Sequence, residues 1–146
     1  MDEQILLDDT LRGTEIIEEA VHAFRQEQTD WHFMGICMAI RSRIGEEGHL
    51  IFPADIFEDE ERNTNFSFKM LDLEDGTSAL VAFTSMEERK KAPPSGAVSQ
   101  FIDCMLDPML QMEQVSGLWL NPWGEGVFIG KEDIAMILTP GSERFI

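Results

Sequence analysis

Apolar residues near the start of the chain recur at helical spacing and predict a helical hairpin. Steps of three and four residues join Ile17, Ala20, Val21 and Phe24, which is one stripe of a helix. We expect Thr14 to be its N-cap and the helix to run to about Glu27. A second helix, capped by Thr29 or Asp30, carries the stripe Phe33, Ile36, Cys37, Ile40 and Ile44. Because the link between the two helices is short, we expect them to pack as a hairpin.

The middle of the chain changes to strand periodicity. Residues 49–53 form a short apolar run closed by Pro53, which predicts a strand. The polar residues 55–65 predict an exposed loop. Further on, apolar residues alternate with polar ones over 66–70, Asp75-Gly76 follows, and 79–83 is apolar. That order predicts a β-hairpin, and Thr84-Ser85 predicts the cap of a short helix.

The last third mixes helix and strand signals. The stripe Val98, Phe101, Ile102, Met105 and Leu106 predicts a helix ended or kinked by Pro108. Residues 118–120 and 127–129 predict strands, and residues 131–138 predict a final helix. We therefore expect a single α+β domain over residues 1–146. It would have two layers, with an amino-terminal helical hairpin and further helices packed on a mixed or mostly antiparallel sheet.

Charge narrows the range of partners. Lys and Arg total 11 and Asp and Glu total 28, for a formal net charge of -17. A nucleic-acid partner requires a basic surface, so we expect none. An anionic membrane surface would repel the chain, and no apolar run is long enough to span a bilayer. The first residues lack the pattern of a secretion signal, which predicts a cytoplasmic protein. The acidity either maintains solubility or attracts a basic partner.

Metal and cofactor motifs are not apparent in the sequence. The three histidines, His22, His32 and His49, have no spacing typical of a metal site, and no glycine-rich phosphate motif is present. We therefore expect no metal and no cofactor. Glu18 and His22 lie one helical turn apart and predict an exposed i,i+4 pair. Both cysteines, Cys37 and Cys104, lie in apolar helical patterns and predict reduced core residues.

Nucleophilic catalysis has weak support. Ser85 follows a predicted strand, but Phe83 and Glu87 replace the glycines of a nucleophile elbow. We expect Asn121 to bond to nearby backbone and terminate its strand. The enzyme alternative is a small hydrolase or transferase with a site near Ser85, Asp103 and Asn121. It requires that these side chains converge in one pocket.

Candidate partner-binding residues come from charge and aromatic content. Glu58, Asp59, Glu60 and Glu61 form an acidic run in a predicted loop, where recognition residues often collect. Trp31 and Trp123 lie at the edges of predicted elements and would supply apolar anchors. We therefore expect an unidentified protein partner, with complementary charge raising its association rate. A homo-oligomer is compatible with the same pattern.

Several segments together resemble one protein family. The run over 79–88, with Phe83-Thr84-Ser85 before an acidic helix start, resembles the hallmark of the SseB amino-terminal domain. The segment 117–123, an apolar strand ending in Asn-Pro, resembles a second motif of that family. The strand over 49–53 and the helix over 131–138 fall where the family has them. The resemblance covers about residues 30–138, preceded by an acidic helical lead over residues 1–28.

The resemblance implies a compact α+β cytosolic module of bacteria with no established catalytic activity or cofactor. Longer members of that family have a second, carboxy-terminal domain, which we do not expect in this chain. No catalytic residue is transferred by the resemblance. The leading hypothesis is therefore a non-enzymatic interaction or regulatory module. Besides the enzyme alternative, an acidic immunity protein or inhibitor that binds a basic toxin remains open.

Overall fold

The structure is a computed structural model that describes Leu11 and residues 13–139. Helices and strands alternate irregularly along the chain. The helices are α1 (Thr14–Gln26), α2 (Asp30–Gly45), α3 (Met86–Lys90), α4 (Ile102–Met109) and α5 (Lys131–Leu138). The strands are β1 (His49–Glu58), β2 (Thr64–Phe68), β3 (Met70–Asp72), β4 (Ser78–Ala82), β5 (Ala97–Phe101), β6 (Val115–Leu120) and β7 (Val127–Gly130).

The strands form two sheets that meet at one point. One has the order β2-β1-β5 and is antiparallel, and the other has the order β3-β4-β6-β7. In the second sheet β4 and β6 run parallel, while β3 and β7 pair antiparallel at the edges. Ile51 and Phe83 exchange two backbone hydrogen bonds, of 3.0 and 2.8 Å, that join the sheets. The predicted α+β class with a mixed sheet is confirmed.

The predicted turn at Asp75-Gly76 and two of the three predicted caps are confirmed. The predicted β-hairpin is wrong in its first strand, because Phe66 and Phe68 lie on β2 and pair with β1, and only Met70 of that segment pairs with β4. β3 and β4 pair antiparallel, and Gly76 in the turn between them has a φ of 87°, which favours glycine. The Thr29 side chain caps α2 by accepting the backbone N–H of His32, at 3.1 Å. Ser85 caps α3 in the same way, again at 3.1 Å.

The predicted N-cap of the first helix is wrong. Gly13 occupies that position with a φ of 92°, and Thr14 is the first helical residue. The Thr14 hydroxyl donates instead to the carbonyl of Leu11, at 2.7 Å. The chain turns into α1 through the left-handed region, where glycine is favoured over threonine.

β1 is twice as long as predicted, because Pro53 does not end it. On one edge, residues 49–53 of β1 pair with β5. On the other edge, Ile51 pairs with Phe83 and residues 54–58 pair with β2. Pro53 lies where the partner on that second edge changes, so its missing N–H removes no regular ladder bond. Its carbonyl accepts the backbone N–H of Lys69 at 2.9 Å. The prediction of a loop over residues 55–65 is therefore wrong at both ends.

The predicted helix over residues 98–106 is half wrong. β5 occupies the first part and α4 begins only at Ile102. Val98 and Phe101 are three residues apart, which places them on one face of a helix but on opposite faces of a strand. Phe101 packs edge-on against His49 with ring centroids 4.3 Å apart, and it is 42% exposed.

The central strands are buried on both faces. The main core lies between the sheets and helices α1, α2, α4 and α5, and includes Ile17, Val21, Ile36, Ile40, Leu50, Phe52, Leu80, Ile102, Leu106, Leu118 and Ile134. A smaller cluster on the other face holds Leu11, Ile51, Val81 and Phe83, with Met86 of α3 and Ala92 packed on it. Alternation along β1 and β4 sends neighbouring residues to opposite clusters.

Truncation of Ile40, in a correctly predicted helix, and of Phe101, in a segment wrongly predicted as helix, should change the free energy of unfolding by different amounts. Ile40 is fully buried in α2, so Ile40→Ala should lower the free energy of unfolding by about 2–5 kcal/mol through lost burial and an unfilled cavity. Phe101→Ala should lower it by less than about half as much, because Phe101 is on the surface of β5. Urea unfolding followed by circular dichroism measures both. Equal losses would contradict the assignment of residues 97–101 to a surface strand.

Candidate functional site

The two parallel strands β4 and β6 end side by side, and one pair of polar residues joins their ends. The side-chain oxygen of Asn121 accepts the backbone N–H of Thr84, and its amide donates to the Thr84 hydroxyl, each at 3.0 Å. Both residues are buried. Asn121 thus bonds to the neighbouring strand end, and the prediction that it bonds to its own local backbone is wrong. Its φ of 49° turns the chain out of β6 in a region that asparagine tolerates.

A third polar group extends this pair to the first helix. The Thr84 hydroxyl donates to the Glu18 carboxylate on α1, at 2.5 Å. The chain of hydrogen bonds therefore runs from Asn121 through Thr84 to Glu18. Buried polar groups cost free energy unless they are paired, so the three residues fix each other's positions.

An acidic cavity of about 390 Å³ opens at these strand ends. We call it the strand-end cavity; its polar lining consists of Glu18, Ser85, Glu87, Glu88, Asn121 and Glu125. Ser85 and Asn121 of the enzyme alternative are thus brought together. Asp103 is not with them, because it lines another cavity together with Cys104 and Asp107. Ser85 and Asn121 also serve the fold, as a helix cap and as the link to Thr84.

One ion pair and one histidine contact engage acidic residues of the strand-end cavity. Lys91 donates to Glu88 at 2.6 Å, and this hydrogen bond raises the pKa of Lys91. His22 contacts Glu125 at 2.9 Å, so the predicted pair between His22 and Glu18 is wrong. Among the residues that the structure describes, no three His, Cys, Asp or Glu side chains converge as metal ligands. Four glutamates dominate the lining, so the cavity offers mainly hydrogen-bond acceptors.

The two cysteines differ in environment. Cys37 is buried in α2, and desolvation raises the pKa of its thiol to about 11. Cys104 is exposed on α4, so its predicted core position is wrong. Neither cysteine forms a disulfide.

The acidic run lies at the tight turn between β1 and β2. Glu58 is the last residue of β1, and all four carboxylates are exposed. The Asp59 carboxylate accepts the backbone N–H groups of Glu61 and Asn63 and the side-chain amide of Asn65, each at 2.9 Å. The bonds from Asn63 and Asn65 lower the pKa of Asp59. Asp59 therefore organises the turn, which leaves the three glutamates as the solvent-facing charges.

Three apolar side chains stand exposed beside this acidic turn. Ile56 and Phe57 on β1 are 52% and 50% exposed, and Phe66 on β2 is 43% exposed. Ile56 and Phe66 pair across the two strands and share one face. We call these three residues and residues 58–61 the hairpin tip. The sequence pattern did not predict the exposure of the apolar part, although Ile56 and Phe57 directly precede the acids.

The two candidate tryptophans have different surroundings. Trp31 lies in the first turn of α2 and is 83% exposed. Trp123 follows Asn121-Pro122 and packs against Phe83 with ring centroids 6.3 Å apart. It lines a cavity of about 260 Å³, the Trp123 groove, together with Pro53, Lys69, Val81, Phe83, Arg89, Pro93 and Pro94. The predicted anchors thus occupy separate surfaces from the acidic turn.

Most of the chain matches the model of one known protein family. Residues 17–136 match the model of the SseB protein N-terminal domain. The chain therefore belongs to the SseB amino-terminal domain family, as the resemblance predicted, although the match begins within α1 and not at residue 30. No curated protein and no solved structure gave a match. In the part of the chain that the structure describes, no helix has both the length and the apolarity to cross a bilayer.

A double-mutant cycle should reveal the coupling between the two strand ends. Asn121→Ala should lower the free energy of unfolding by roughly 1–3 kcal/mol, because the buried Thr84 N–H loses its acceptor. Thr84→Val removes the hydroxyl with little change in shape. Because both substitutions break the same link, the double variant should lose less than the sum of the single losses. Additive losses in urea unfolding would contradict the link.

Alkylation should distinguish the two thiols. In the native protein at pH 8, iodoacetamide should modify Cys104 and spare Cys37, because burial keeps Cys37 protonated and inaccessible. In urea both should react. Mass spectrometry of the digested protein measures this, and native modification of Cys37 at the rate of Cys104 would contradict the packing of α2.

Proposed function

We propose that this SseB-family protein is a non-enzymatic interaction module that binds a basic partner protein through the hairpin tip. The observation that carries the proposal is the exposure of Ile56 and Phe66 on one face of the hairpin, directly beside an acidic turn. Protein interfaces typically combine an apolar centre with a polar or charged rim. The hairpin tip has this arrangement on a small scale.

The shape of the hairpin supports the proposal. On the inner face of β1, Phe52 and Ala54 are buried, whereas Ile56, two residues further on, is exposed. The apolar face of the sheet therefore continues beyond the helices that cover the core. Phe66 extends the same face on β2, next to Phe68, with ring centroids 6.4 Å apart. A partner that covered this face would remove apolar surface from water.

The negative charge supports a basic protein as the partner. Glu58, Glu60 and Glu61 project from a chain with a net charge of -17. A basic surface on the partner would be attracted over a Debye length of about 8 Å at physiological salt and oriented before contact. A basic toxin, as in the immunity hypothesis, is one member of this class. We place the interaction in the cytoplasm, where thiols such as those of Cys37 and Cys104 stay reduced.

Site-specific photo-crosslinking tests the proposal. A benzoylphenylalanine at position 56 should give a discrete adduct with a basic protein in an extract of the native host. The same group at Ile16, which is 49% exposed on α1, is the matched control and should give none. The adduct should decrease at 0.5 M salt, because screening weakens complementary charge. The absence of an adduct from position 56, or equal adducts from both positions, would contradict the proposal.

Charge removal at the turn should slow association and leave the fold intact. The variant Glu58→Gln, Glu60→Gln, Glu61→Gln keeps Asp59, which holds the turn. It should bind the cross-linked partner roughly 10-fold more slowly at low salt. The control, with Glu19, Glu47 and Glu113 changed to Gln, removes the same charge from other exposed positions. An equal effect of both variants on the association rate would mean that net charge, and not the hairpin tip, attracts the partner.

A further inference from the structure

We propose that the Trp123 groove is a second binding site, which accepts the carboxy-terminal residue of a partner protein. The apolar side chain of that residue would fill the groove, and its terminal carboxylate would bind Lys69 and Arg89. This ligand differs in charge from the basic partner proposed for the hairpin tip, and the two proposals rest on different residues.

The apolar part of the groove is preformed. Val81 and Phe83 belong to the second buried cluster, so they form a fixed floor beneath the groove. Pro53, Pro93 and Pro94 line the groove with residues whose backbone is already restricted. Trp123 packs on Phe83 yet keeps 42% of its surface exposed. A preformed apolar site costs little ordering when a ligand binds.

The charge of the groove is opposite to that of the chain as a whole. The chain has 28 acidic and 11 basic residues, yet the described residues that line the groove include two cations and no carboxylate. Lys69 has an exposed partner, Asp55, at 3.4 Å. Arg89 forms no ion pair with another described residue. A guanidinium binds a carboxylate through two parallel hydrogen bonds, so this pair of cations favours a carboxylate ligand.

The size of the groove fits a ligand that carries both groups on one residue. Its volume of about 260 Å³ lies below the roughly 300–1,000 Å³ typical of sites for drug-sized molecules. It therefore suits one large side chain. A carboxy-terminal residue carries its apolar side chain and its carboxylate on the same Cα. An internal acidic residue would need a second, neighbouring residue to supply the apolar group.

Titration with short peptides, followed by ¹H–¹⁵N NMR, tests the site on the complete chain. The probes are acetyl-Gly-Ser-Gly-Phe as the free acid, its carboxamide, and acetyl-Gly-Asp-Phe-amide, which carries an internal carboxylate. The free acid should shift the indole N–H resonance of Trp123, assigned with Trp123→Phe. It should bind about 10-fold more tightly than either amide, because only the free acid provides the terminal charge.

Neighbouring basic residues on α3 supply the matched controls. Arg89→Gln should weaken binding of the free acid about 10-fold, whereas Lys90→Gln, the same loss of charge one residue away and outside the groove, should leave it within about twofold. Circular dichroism and urea unfolding confirm that both variants fold. The hairpin variant with three glutamines should bind the free acid unchanged. Equal binding of acid and carboxamide, equal effects of the two α3 variants, preference for the internal carboxylate, or no binding at millimolar peptide would each overturn the proposal.

Discussion

The hydrogen-bonded pair between Thr84 and Asn121 is the constraint on which the rest of the structure depends. It joins the ends of the two parallel strands, β4 and β6, at the centre of the larger sheet. Through Glu18 it also fixes the helical hairpin against that sheet. Ser85, the cap of the short helix α3, directly follows Thr84, and the segment that carries Trp123 begins directly after Asn121. The residues on both sides of the strand-end cavity, and Trp123 on one side of the Trp123 groove, therefore depend for their positions on the pair between Thr84 and Asn121.

The same pair gives a structural role to the two sequence segments that resemble motifs of the family. Phe83-Thr84-Ser85 and Asn121-Pro122 are 37 positions apart at their bonded residues, yet each supplies half of one contact. Phe83 joins the two sheets and supports Trp123, and Ser85 caps α3. Ser85, the candidate nucleophile of the enzyme alternative, thus has a structural role as the cap of α3.

The sequence correctly predicted those elements that neighbouring residues determine by themselves. The caps at Thr29 and Ser85, the turn at Gly76 and the helices α2 and α5 follow from spacing and cap chemistry alone. The wrong predictions occur where pairing with a strand distant in the sequence determines the secondary structure. Pro53 remains inside β1 because the partner strand changes there, and residues 97–101 pair with β1 although their apolar spacing also suits a helix. Sequence periodicity could predict neither the length of β1 nor the strand at residues 97–101, since both depend on tertiary pairing.

The candidate sites were likewise predicted only as far as local sequence determines them. Composition predicted an acidic surface and placed it at residues 58–61, but it did not distinguish Asp59, which organises the turn, from the glutamates that face solvent. It also missed Ile56 and Phe66, because their exposure depends on where the helical layer ends. The structure thus carries two surfaces of opposite charge, the acidic hairpin tip and the basic Trp123 groove.

Hydrogen exchange on the complex tests most directly the claim that the hairpin tip is the binding surface. Amide exchange of the chain would be compared, by mass spectrometry, with and without the partner recovered by cross-linking. We expect the main gain in protection in residues 55–67, because covering an exposed face slows the opening of its backbone hydrogen bonds. Protection confined instead to residues 84–91 and 121–126, around the strand-end cavity, would contradict it and favour a site that includes Ser85 and Asn121.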